Sequence, residues 1–175
     1  MMILVTGGSG SGKSAYAEDR VLSFGDGRRI YIATMYPFDL ESKKRIDRHR
    51  RMRAGKGFET VECYTGLKDL VLPGDSTVLL ECMSNLVANE MFSDEGAKAN
   101  TVEEIMDGIL LLKDQVKNLV VVTNEIFSEV SAYEGETGMY RIYLGEINRR
   151  LGAIAYEVYE VVYGIPVSIK GGEKA

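Results

Sequence analysis

Eight residues near the start of the chain restrict its fold more than any other feature. Gly7-Gly8-Ser9-Gly10-Ser11-Gly12-Lys13-Ser14 fits the P-loop pattern Gly-x-x-x-x-Gly-Lys-Ser at every fixed position. The run follows Met2-Ile3-Leu4-Val5-Thr6, a continuous apolar stretch of the kind buried on both faces of a parallel sheet. A helical segment over 13–23 comes next and stops at Gly25 and Gly27. Strand, glycine loop and helix in that order make a phosphate cradle. The glycines let successive backbone N–H groups face one anion, and the positive end of the helix dipole adds to the attraction. Lys13 is expected to act as the catalytic cation on the β- and γ-phosphates. Ser14 is expected to offer its hydroxyl to Mg²⁺. The expected occupant is a nucleoside triphosphate, GTP or ATP.

The rest of the 175 residues alternates in the same sense. Strands are expected over 29–33, 58–63, 77–80, 119–123, 158–163 and 167–169. Helices are expected over 41–53, 82–92, 102–117, and from the end of a polar loop (128–138) to about residue 156. Gly164-Ile165-Pro166 is too short for a crossover, so one edge strand should run antiparallel. The implied fold is α/β: a mostly parallel sheet with helices on both faces and one antiparallel edge strand. No repeat or linker interrupts the chain, and residues 1–175 are expected to form one nucleotide-binding domain with a frayed tail over 170–175. With 45% hydrophobic and 27% charged residues, the composition excludes a disordered or collagen-like chain. The opening apolar run is far short of the ~20 residues a membrane span needs, so a soluble, cytoplasmic protein is expected. Cys63 and Cys82 have no metal-ligand spacing and read as reduced thiols.

Two further groups of residues carry chemistry. Glu81 ends the apolar run Val78-Leu79-Leu80, where an acidic residue can meet the metal ion of a phosphate loop; the alternative is an acid placed for the dipole of the next helix. Asn124-Glu125 supplies a second carboxylate at the same strand end. The other group surrounds His49, the sole histidine. Residues 41–56 hold eight basic and two acidic side chains, a local charge of +6, while the remainder of the chain sits at −11. A net charge of −5 disfavours a general nucleic-acid surface. Three readings of the basic run stay open: a solvated helix, a nucleic-acid contact without aromatic partners, or a set of arginines holding nucleotide phosphates for attack by His49. Imidazole suits the last, with an ordinary pKa near 6.5. Helical spacing puts Arg45 and Arg53 on the same face as His49.

The residues resemble those of the bifunctional adenosylcobinamide kinase/adenosylcobinamide-phosphate guanylyltransferase family of cobalamin biosynthesis. The markers are Met2 to Gly8 running into Ser11-Gly12-Lys13-Ser14, then Tyr31-Ile32-Ala33-Thr34 and Arg45-Ile46-x-x-His49-Arg50. Thr60-Val61-Glu62, Leu79-Leu80-Glu81-Cys82, Val122-Thr123-Asn124-Glu125 and Gly145-x-Ile147-Asn148-x-x-Leu151 follow in the family's order. This chain departs from many members at Ser9-Gly10, at Ala54 and over 126–132.

The resemblance implies phosphorylation of adenosylcobinamide, then guanylylation of adenosylcobinamide phosphate by GTP through a GMP-histidine, giving adenosylcobinamide-GDP. It implies that His49 carries the GMP. It implies that Gly7 to Ser14, Ala33-Thr34-Met35, Arg50-Arg51-Met52-Arg53, Glu62 and Glu81 hold the nucleotide, with Mg²⁺ at Ser14 and Glu81. It also implies a RecA-like sheet and a homotrimer. The alternatives are a P-loop small-molecule kinase in which His49 is a spectator, and a non-catalytic GTP-binding module.

Overall fold

The computed structural model describes residues 1–126 and 135–171. Its centre is a seven-stranded sheet. In chain order the elements are β1 (Met2–Thr6), α1 (Lys13–Ser23), β2 (Arg29–Ala33), α2 (Leu40–Arg53), β3 (Phe58–Glu62) and β4 (Thr77–Glu81). They continue with α3 (Met83–Phe92), α4 (Thr101–Gln115), β5 (Asn118–Val122), α5 (Glu136–Ile154), β6 (Glu157–Val162) and β7 (Ile165–Lys170). Two short 3₁₀ turns, Leu67–Asp69 and Lys98–Asn100, have no counterpart in the sequence reading.

The strand order is β3-β2-β4-β5-β1-β6-β7. Every pair is parallel except β6 with β7. The antiparallel edge expected from Gly164-Ile165-Pro166 is therefore present. Lys170, assigned to a frayed tail, instead closes β7, and its ammonium bonds the Gly152 and Ala153 carbonyls at the end of α5. Residues 172–175 of that tail, and most of the 128–138 loop, lie outside the described residues.

Side-chain alternation along the strands divides the core. Ile3, Val5, Leu79, Val120 and Val122 face α1 and bury Ala17 and Val21. Leu4, Ile32, Leu80 and Val121 face the other way, against Leu86 of α3, Ile105 and Ile109 of α4, and Leu144 and Ile147 of α5. With both faces covered, β1, β4 and β5 must be apolar at nearly every position, which made them legible as continuous runs.

One helix stands apart. Among the residues of α2 only Arg53 is buried. Its N-terminus is capped by Asp39, which accepts the Ser42 N–H at 2.7 Å. Just beyond its C-terminus, Lys56 pairs at 2.6 Å with the fully buried Glu18 of α1. The basic helix is thus capped locally at its N-terminus, fastened near its C-terminus through Arg53 and Lys56, and otherwise mostly exposed.

Candidate active site

The parallel strands deliver their carboxyl ends to one edge of the sheet. Ala33, Glu81 and Val122 are register partners across β2, β4 and β5, and Glu62 pairs with Ala33. The loops leaving this edge carry nearly all the expected site residues, as the general rule for open α/β sheets requires.

At the root of the phosphate loop, Gly7 has φ 152°, and a Cβ there would lie 2.6 Å from the Val161 carbonyl oxygen. Glycine is obligatory at that position. Gly12, with φ 94°, is the left-handed cap that starts α1. Lys13 folds back over the loop and donates to the Gly8 carbonyl at 3.0 Å. Burial lowers its pKa from the ordinary lysine value, against the opposing pull of Cys82 and Glu81.

Two cavities flank the loop edge. One, of about 400 Å³, lies over the loop itself and is lined by residues 9–15 with Arg45, Arg48, Met52 and Asn124. The other, of about 390 Å³, lies between α2 and β2–β3 and is lined by Ala33, Arg50, Arg53, Thr60, Glu62 and Tyr64 among others. Met35, His49, Glu81 and Cys82 line both, so these four side chains form the wall between them.

Glu81 is the hub of that wall. Its side chain is 6% exposed. The Ser14 hydroxyl donates to one carboxylate oxygen, Oε1. The other, Oε2, accepts from the Tyr31 hydroxyl at 3.2 Å and lies 3.4 Å from His49 Nδ1. Burial pushes this carboxyl upward, but the contacts from His49, Ser14 and Tyr31 outweigh it and hold the group below the ordinary carboxylate range. Tyr31 is itself held from behind by the Arg53 guanidinium, 3.3 Å from its ring centroid.

The structure sorts the expected residues. Ser9, Gly10, Ser11, Gly12, Lys13 and Ser14 line the loop cavity with Met52, while Gly7 and Gly8 shape its root. Arg50 and Glu62 line the second cavity 3.9 Å from each other. Helical spacing puts Arg53 beside His49, yet its guanidinium lies against Tyr31, and Arg45 and Arg48 are the arginines over the loop. Arg51 lines neither cavity; its Nε donates to the Asp47 carbonyl at 3.3 Å. Thr34 is fully buried, and its hydroxyl is committed to the Cys82 backbone, donating to the carbonyl and accepting from the N–H. Arg48 belongs to the basic run read as a possible phosphate-holding set, whereas Tyr31, Tyr64 and Asn85 were not expected at the site from sequence. A tyrosine in a strand reads as core, and nothing in its spacing marks it as a partner of a carboxylate 50 residues away.

A hydroxyl and a carboxylate oxygen in contact are hard donors that suit Mg²⁺. Among the described residues no cluster of three or more His, Cys, Asp or Glu forms a metal site by itself. The donors therefore fit a cation shared with phosphate oxygens. Cys63 and Cys82 are free thiols. No helix among the described residues is long and apolar enough to cross a membrane.

Comparison with known proteins gives the family. The family model for cobinamide kinase / cobinamide phosphate guanyltransferase matches residues 3–169. The chain belongs to that family. A curated relative, the bifunctional adenosylcobalamin biosynthesis protein CobU of Salmonella typhimurium, is 36% identical over an alignment covering 97% of this chain and all of the relative. The protein of the same name from Escherichia coli is 34% identical with the same coverage. Among solved structures, the flagellar accessory protein FlaH from Methanocaldococcus jannaschii aligns with TM-score 0.50 at 12% identity, over 97% of this chain and 77% of that one. An ATPase of a type III secretion system aligns with TM-score 0.56 at 8% identity, over 95% of this chain and 56% of that one. At such identities the likeness shows the fold alone, a RecA-like P-loop sheet, and it agrees with the family.

Proposed function

We propose that this enzyme phosphorylates adenosylcobinamide with a nucleoside triphosphate, then transfers GMP from GTP through His49 to adenosylcobinamide phosphate, forming adenosylcobinamide-GDP. The observation that carries this reading is the place of the imidazole, in the wall between the loop cavity and the second cavity and beside Glu81. A triphosphate seated on the loop would pass its α-phosphorus by this wall, with the guanine beyond it near Arg50, Glu62 and Tyr64. Ser9 to Ser14, Ala33, Met35, Met52 and Arg53 complete the nucleotide site in this proposal.

Each chemical demand has a residue to meet it. The loop N–H groups and Lys13 hold the pyrophosphate as it leaves, a contribution of about 3–4 kcal/mol per well-placed donor. In the kinase half the same groups position the γ-phosphoryl for the substrate hydroxyl. Ser14 and Glu81 would hold Mg²⁺, which when bound supplies charge neutralisation on the phosphate oxygens. Dividing guanylyl transfer into two displacements at phosphorus lowers each barrier, the general gain of covalent catalysis. We further propose one domain over residues 1–175, a cytoplasmic location and a homotrimer. Light scattering would check the last, with a mass three times that of the chain.

The central test is incubation with GTP labelled at the α-phosphate. An acid-labile, alkali-stable label should stay on the protein and should vanish in His49→Ala. A kinase with His49 as spectator gives cobinamide phosphate and no label. A non-catalytic module binds GTP and turns over no corrinoid.

A further inference from the structure

The two ring nitrogens of His49 have different surroundings. Nδ1 has essentially no solvent-accessible surface and lies 3.4 Å from Glu81 Oε2. The side chain as a whole keeps 22% of its surface exposed. Of the two ring nitrogens only Nδ1 is among the sealed polar atoms without a hydrogen-bond partner, which leaves Nε2 as the nitrogen open to an approaching group. An attacking nitrogen has to meet phosphorus in line with the leaving oxygen, and the sealed nitrogen has no such path.

The carboxylate that seals Nδ1 is itself held in place. Oε1 takes the Ser14 hydroxyl, and Oε2 takes the Tyr31 hydroxyl at 3.2 Å. Tyr31 is 5% exposed in β2, and the Arg53 guanidinium covers its ring. A carboxylate facing Nδ1 favours the tautomer with its proton there, because the other tautomer would set two lone pairs against each other.

We propose that Glu81, oriented by the positioning residue Tyr31, fixes the His49 ring so that Nε2 and not Nδ1 becomes the guanylylated nitrogen. The inference rests on the guanylyl-transfer reading above. The Nε2 lone pair forms the N–P bond at the α-phosphorus as the α,β-bridging P–O bond breaks, and that bond's electron pair leaves on pyrophosphate. The proton stays on Nδ1. The positive charge the ring then acquires develops directly opposite the Glu81 carboxylate, where stabilisation is greatest. In the second step an oxygen of the acceptor phosphate forms the new P–O bond, and the N–P electron pair returns to Nε2, leaving the ring neutral.

Three measurements test it. Full-length enzyme loaded with GTP is treated with periodate and base to strip the nucleoside, hydrolysed in alkali and analysed for phosphohistidine. The Nε2 isomer (3-phosphohistidine) is expected, and the Nδ1 isomer overturns the proposal. Absence of both isomers removes the guanylyl-transfer reading, and this inference with it. The role of Tyr31 is tested by Tyr31→Phe, which keeps the ring under Arg53 and deletes only the hydroxyl. Loss of one hydrogen bond to a charged group should lower kcat for guanylyl transfer about 5- to 10-fold with KM for GTP unchanged. Because the chain has one histidine, ¹⁵N-histidine labelling reports His49 alone, and the variant should show a smaller share of the Nδ1–H tautomer. Unchanged kcat and unchanged ring ¹⁵N shifts would remove Tyr31 from the mechanism.

Discussion

Glu81 shows how much one side chain can be asked to do when its two oxygens face different partners. Because Oε1 meets Ser14 and Oε2 meets His49, Glu81→Gln should slow both half-reactions, by about 10- to 100-fold each. Its folded-state pKa is depressed. A group of that kind adds stability that is present above the unfolded carboxyl pKa and is lost as pH falls through the folded one. Denaturant titrations of wild type and Glu81→Gln should therefore differ at pH 7 and converge at acid pH, below the ordinary carboxylate range. Lys13, Ser14 and Glu81 were legible because a spacing rule or a strand end marked them. The contacts of Tyr31 and Thr34 were not, since they are made with residues 50 and 48 positions away. Local periodicity contains no information of that range.

At the scale of elements, the phosphate loop is held by sterics as much as by its hydrogen bonds. Gly7→Ala drives a Cβ into the Val161 carbonyl and keeps an unfavourable φ, whereas a Cβ at Gly8 meets nothing within 4 Å. The first variant should lose thermal stability and GTP binding together. Gly8→Ala should melt within about 2 °C of wild type and still gain stability from GTP, as differential scanning fluorimetry would show. Strands β1, β4 and β5 could be read from sequence because burial on both faces forces an apolar residue at nearly every position. β7 is exposed at each of its six residues. Burial therefore imposed no pattern on it, and only its central residues stood out. The helix α2 was legible from its polarity and helix formers, but not its attachment through Arg53 and Lys56, which depends on an aromatic ring and a buried acid in other elements.

Across the whole molecule, charge is distributed against its own average. The segment 41–56 carries +6 on a chain of net −5, and its arginines line both cavities. Such a field attracts a polyanion while the rest of the surface repels it. The association rate for GTP should fall several-fold between about 50 mM and 500 mM salt, with a smaller change in dissociation, as stopped-flow fluorescence with a labelled analogue would show. Strand alternation was enough to predict a parallel α/β sheet, but not that β4 and β5 insert between β2 and β1. Lateral order depends on which crossovers cover which face, a property of the assembled layers.

The turn that joins the last two strands bears directly on the first motif in the chain. The Gly164 N–H bonds the Ser11 carbonyl at 2.8 Å, and a Cβ on Gly12 would come within 3.3 Å of the Gly164 Cα. The terminal ribbon thus works as a buttress behind the anion-binding turn. A chain cut after residue 161 sheds mostly solvent-facing residues, yet it removes the strut against which the cradle leans. The anion-binding turn is therefore complete only once the β6–β7 hairpin, about 150 residues further along the chain, has been made and folded against it.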